Sequence, residues 1–245
     1  MASDIVFIVF ALCFSAFIKG ALGLGFSTIC LAILANVLDL KVAISIVLIP
    51  SVLSNLIVMY SVGHFRISVQ QFWSMLLATL FGMLIGLLIL TKTDNTLSKG
   101  LLGAVLVIYG IWSYFNKTFR VKNSLINTLN PPVGFFTGMV NGSTGSQIFP
   151  VMPYLLSLNI SKEVLLQTIN LSFTLCSIIM LLTLWKIDAF DSHAAIKYSL
   201  GIFPVAAGVW LGGKLRKKLS DHRFRQTTML LIIMLGFGLL FKVLS

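Results

Sequence analysis

Apolar residues run along this chain in long blocks, and polar residues gather in the short connections between them. Ten blocks stand out: 5–18, 26–38, 42–62, 72–91, 99–116, then 133–141, 146–158, 164–185, 194–213 and 224–243. Several approach the roughly 20 residues that a helix needs to cross the hydrocarbon core of a bilayer. The pattern predicts an all-α polytopic membrane protein. The opening run MASDIVFIVFALCFSAF has neither a positive leading region nor an A-x-A-like cleavage site, so it reads as the first membrane segment.

Two glycine-rich breaks interrupt the apolar pattern at matching places. The first is KGALGLGFST, residues 19–28, and the second is TGMVNGSTGSQ, residues 137–147. Irregular backbone inside a membrane survives only when it is buried in protein or lines a wet cavity. A matched pair of interrupted segments in two halves points to the binding site of a transporter. The expected break residues are Gly20, Gly23 and Gly25 in the first half, and Gly138, Gly142 and Gly145 in the second. The blocks flanking each break are short, and read equally as full spans or as the arms of a re-entrant hairpin.

A polar, basic stretch from Asn116 to Asn130, with Lys117, Arg120 and Lys122, separates five blocks from five. At a constant offset of 126 positions, Gly82 aligns with Gly208, Gly86 with Gly212, Lys99 with Arg225 and Gly110 with Gly236. The expectation is a duplicated chain, with one repeat over 1–123 and the other over 124–245. Lys214, Arg216, Lys217, Lys218, Arg223 and Arg225 mark the connection 213–225 as cytoplasmic, because basic residues set orientation. Counting back puts 117–122 on the same side, and loop 92–98 and both termini on the extracytoplasmic side. Loops 92–98 and 213–225 are counterparts on opposite sides, so the repeats are expected to be inverted. Gly82-x-x-x-Gly86 and Gly208-x-x-x-Gly212 fit close helix approach, either within the chain or in a homodimer.

Composition supports this reading. Hydrophobic residues make up 58% of the chain and charged residues 10%, against about 25% charged in soluble domains; the mean hydropathy is +1.00. The net charge of +11 lies largely in the connections, without the aromatic interleaving of a nucleic-acid surface. Nucleic acid is therefore not an expected partner, whereas the lipid bilayer is. Cys13, Cys30 and Cys176 are isolated in apolar blocks and suit neither a metal site nor a disulfide framework. No cofactor is expected.

Candidate chemistry lies at the breaks. Lys19 is the one charged residue between Asp4 and Asp39; an ionisable group at such depth is costly and points to function. The alternative is a lysine that extends to the interface. Ser27 and Thr28 are expected to open the segment after the first break, and Ser143, Thr144, Ser146 and Gln147 the segment after the second. Helix starts offer free N–H groups and the positive end of the dipole, which together make an anion site. The alternative is ordinary capping. Asn55 and Asn170 follow each break, as cavity residues or as links between helices; Asn141 joins the second break itself. Asp4, Asp39, Asp94, Glu163, Asp188, Asp191 and Asp221 all fall at block ends or in connections, so no carboxylate is placed for a cation site or a proton relay. His64, His193 and His222 are scattered in connections. No nucleophile–base pair or His/Asp/Glu cluster shares one depth, so an enzyme is not expected.

GALGLGFST after an apolar run, its echo GMVNGSTGS, and the repeated GxxxG helices resemble the sulfite exporter TauE/SafE family, over nearly the whole chain and in both halves. This chain departs from the family run at Leu24 and Phe26. The resemblance implies a bacterial cytoplasmic-membrane permease for small anions such as sulfite and organosulfonates. The expectation is a secondary carrier working by alternating access; the alternatives are a passive anion channel or uniporter, or a non-transporting assembly partner.

Overall fold

The computed structural model describes residues 2–23, 25–115, 120–188, 202–216 and 221–244. Leu24, Asn116, Lys117, the start of the expected ninth segment (194–201), His193, Lys217 and Lys218 lie outside them. The described residues form ten α-helices: α1 (Ala2–Leu22), α2 (Phe26–Ala35), α3 (Leu40–Val62), α4 (Phe65–Lys92), α5 (Asn95–Phe115), α6 (Ile126–Thr144), α7 (Val151–Ser157), α8 (Lys162–Lys186), α9 (Ile202–Arg216) and α10 (Asp221–Leu244). No strand occurs among the described residues. Helices α1, α3, α4, α5, α8 and α10 contain stretches long and apolar enough to cross a membrane.

The distribution of side chains suits a lipid solvent. Phe10, Trp73, Phe81, Trp185, Trp210 and Phe241 stand exposed on the outside, while Lys19, Ser51, Asn55, Gln147 and Asn170 are buried. Helix ends follow local chemistry. Asp39 caps α3 by accepting from the Lys41 N–H at 2.9 Å, and Ser161 caps α8 by accepting from the Val164 N–H at 3.3 Å.

The breaks differ from the sequence expectation. Gly20, Gly138 and Gly142 do not break their helices: α1 continues through Gly20 to Leu22, and α6 runs through Gly138 and Gly142 to Thr144. The turns fall at Gly23 and Gly25, with φ of 84° and 94°, and at Gly145, with φ of 73°. These are left-handed conformations that side-chain-bearing residues resist. At 10 and 7 residues, α2 and α7 rise about 15 and 10 Å and cannot cross a core about 30 Å thick. The short segments after each break are therefore partial helices, not spans. Tyr154 pins α7 to α6: its hydroxyl donates to Asn130 Oδ1 at 2.7 Å, and the Asn130 amide donates to Gln71 O on α4 at 3.0 Å.

Helix packing explains the remaining glycines. α4 packs most extensively against α6, followed by α1 against α9 and α5 against α10. A Cβ at Gly86 would lie 2.2 Å from Met139 O, and one at Gly20 would lie 2.2 Å from Val209 O. Both GxxxG faces are thus spent within the chain. The close contacts are alike in the two helix pairs: a Cβ at Gly82 would lie 1.9 Å from Phe135 O, and one at Gly212 would lie 2.1 Å from Phe17 O. Gly103 against Gly236 likewise corresponds to Met229 against Gly110.

Candidate functional site

The first turn brings Lys19, near the end of α1, against the middle of α3. Its side chain is 2% exposed. Its ammonium donates to Ser54 Oγ at 3.1 Å and to Asn55 Oδ1. The lone-charge signal in the sequence therefore marks a buried lysine rather than one that reaches the interface. Both partners are neutral, and no carboxylate is buried among the described residues. The Asn55 Nδ2 group is buried without a hydrogen-bond partner. Lys19, Gly20 and Gly23 line a chamber of about 190 Å³ whose walls include Ile57, Val58 and Leu166.

A second, nearly closed space lies where the two breaks meet. Ser27, near the start of α2, faces Ser51 of α3 with 2.5 Å between hydroxyl oxygens. Across from them, Gln147 donates through Nε2 to Ser177 Oγ at 2.8 Å and to Phe173 O at 3.4 Å. Ser27, Ser51, Gly145, Gln147 and Ser177 border a space of about 10 Å³, close to the volume one water occupies. The Gln147 Oε1 atom and the neighbouring Ser146 hydroxyl are buried without partners. Thr28 is buried on α2.

The remaining sequence candidates separate from these two clusters. Ser143 and Thr144 do not open the helix after the second break; they end α6 before it. Ser143 donates to Met139 O at 2.9 Å and to Val140 O at 3.1 Å, and Thr144 donates to Val140 O at 2.6 Å. A helix end exposes carbonyls rather than N–H groups, so the second break does not supply the helix start expected at these residues. The Thr144 hydroxyl also accepts from the Ser146 N–H at 3.1 Å. Gly138 and Gly142 serve contact with α4, and the Asn141 amide lies at the Cys176 thiol. Asn170 donates to Leu166 O at 2.8 Å, while its Oδ1 has no partner.

Sequence reasoning missed Ser54, Gln167 and Ser177 as site residues, and gave Ser51 no site role. The signal was present as spacing. Ser51, Ser54 and Asn55 fall on one face of α3, while Gln167, Asn170, Thr174 and Ser177 recur at three- and four-residue steps along α8. These helices pack together, which gives a buried polar seam. No group of three or more His, Cys, Asp or Glu residues able to hold a metal occurs among the described residues.

Comparison with known proteins adds one match. The family model described as sulfite exporter TauE/SafE matches residues 7–239, nearly the whole chain. No curated protein and no solved structure matches the chain.

Proposed function

The chain belongs to the sulfite exporter TauE/SafE family, a transporter family, and we propose that it is a secondary carrier of small anions, sulfite or organosulfonates among them. It is a multi-pass membrane protein, and the bacterial inner membrane with extracytoplasmic termini is the proposed setting. The observation that carries the reading is Lys19: a buried lysine with neutral partners beside a chamber that could receive an anion. A buried charge without a counter-charge is costly, and an arriving anion supplies the missing partner.

In the proposed cycle, an anion enters the chamber, meets the Lys19 ammonium and the Asn55 amide, and passes to the space between the breaks. Ser27, Ser51, Gln147 and Ser177 would receive it when that space widens. Access alternates as one half moves against the other. The corresponding contacts of the two halves support inverted repeats over 1–123 and 124–245.

Purified protein in proteoliposomes tests the reading. Radiolabelled sulfite should enter above the rate of protein-free vesicles, and Lys19→Met should reduce uptake to that background. Uptake unchanged by Lys19→Met would remove the lysine from the route. A passive uniporter is the second reading, favoured by the absence of buried carboxylates for coupling among the described residues. Accumulation of sulfite above its external concentration, driven by an imposed ion gradient, would exclude it.

A further inference from the structure

Resting on the anion-carrier reading, we propose that the Lys19 chamber selects singly charged anions over doubly charged ones. The argument starts from charge. Lys19 is the one ionisable side chain among the described residues lining the chamber. Its two hydrogen-bond partners, Ser54 and Asn55, are neutral. Ile57, Val58, Leu166 and Val209 add apolar wall. One cation in such a setting is balanced by one negative charge. A dianion leaves a desolvated negative charge uncompensated, and burying such a charge is unfavourable.

Hydrogen bonding points the same way. An ammonium carries three donors; here two go to Ser54 and Asn55. The third is left for a ligand oxygen, and the Nδ2 group of Asn55, which already binds Lys19 through its Oδ1, is buried without a partner. The Ser61 hydroxyl is occupied with Val58 O at 2.7 Å. An anion with oxygens at one end and an apolar group at the other suits a lysine donor among aliphatic walls. An anion bearing oxygens all round would desolvate several of them against carbon. A chamber of about 190 Å³ has room for one such small ion.

Methanesulfonate and sulfate make the test, because they are tetrahedral ions of similar size that differ by one charge and one methyl group. Isothermal titration calorimetry on the purified protein would measure each directly. Methanesulfonate should bind at least about tenfold more tightly than sulfate. Lys19→Met should abolish its binding. Asn55→Asp, which gives Lys19 a built-in counter-charge without changing side-chain shape, should also abolish it, and serves if Lys19→Met does not fold. Sulfate binding as tightly as methanesulfonate, and lost in these variants, would overturn charge selection while leaving the anion-carrier reading intact. Binding that survives both variants would place the anion elsewhere and overturn the proposal. No heat from either ion, nor from sulfite, acetate or chloride, would overturn both the proposal and the carrier reading.

Discussion

At the scale of the residue, Lys19 holds a function–stability conflict. Its burial desolvates an ammonium, and two bonds to neutral acceptors offset part of that cost. Removing the charge is therefore expected to relieve the fold. Ser54 loses little, since its hydroxyl already donates to Ser51 O at 2.8 Å. Lys19→Met should leave the melting temperature in detergent unchanged or raised, by up to about 2 kcal/mol, while uptake falls to background. A variant that melts much earlier than the parent would show that the lysine is structural. Ser143 has the opposite character. Its hydroxyl is spent on carbonyls of its own helix, so Ser143→Ala should keep transport and shift stability by no more than about 0.5 kcal/mol. That difference shows what the sequence could convey. A lone lysine in apolar sequence is conspicuous, but hydroxyls that bond their own helix look the same in sequence as those that face another helix. Ser143 was legible as a candidate and is occupied locally; Ser177 was passed over and meets Gln147 from the second break.

At the scale of the element, glycine fixes how closely helices approach. Gly86 of α4 and Gly142 of α6 face one another with backbone atoms where a side chain would stand, a Cβ at Gly86 falling 2.8 Å from Gly142 Cα. Such contact gathers many weak dispersion contacts along two helices, which is the main attraction available where lipid removes the hydrophobic drive. Gly86→Ala should cost about 3 kcal/mol, since backbone cannot yield as a side chain does. Gly100→Ala, where the nearest atom is a Val243 methyl at 3.4 Å, should be neutral or stabilising by about 0.5 kcal/mol through helix propensity. Chemical unfolding in detergent would compare them, and equal losses would contradict the close-approach account. The spacing of these glycines predicted their role, and the polarity pattern located the six helices long and apolar enough to span among the described residues. The turns were placed less well. Gly20 and Gly23 sit in the same run and look alike in sequence, but Gly20 has a helix packed on it and stays helical, whereas Gly23 adopts positive φ. Tertiary contact decides between them. The apolar block 133–141 is shorter than α6, which begins at Ile126 and carries Pro131 and Pro132 inside it; the polar residues before the block give no sign that the helix extends through them.

At the scale of the whole molecule, the two glycine breaks converge, with Ser27 after the first and Gly145 and Gln147 of the second lining one space. The chamber beside Lys19 measures about 190 Å³ and the space between the breaks about 10 Å³. On the proposed route the smaller space is the one that must widen. The closure has identifiable parts: the Ser27–Ser51 contact joins α2 to α3, and the Gln147–Ser177 bond joins the second break to α8. The proposed route requires these contacts to separate, so fixing one of them should hold the molecule shut. Ser27→Cys with Ser51→Cys places two thiols where hydroxyl oxygens stand 2.5 Å apart, close to the roughly 2 Å of a disulfide bond. The pair belongs in protein whose Cys13, Cys30 and Cys176 have been replaced by alanine, so that no other thiol can react. Oxidation should stop sulfite uptake, and reduction should restore it, while methanesulfonate binding at the Lys19 chamber persists in both states. Full transport by the cross-linked protein would place the route elsewhere. Loss of binding on oxidation would mean that the chamber and the central space open as one, and that the lysine belongs to the gate itself.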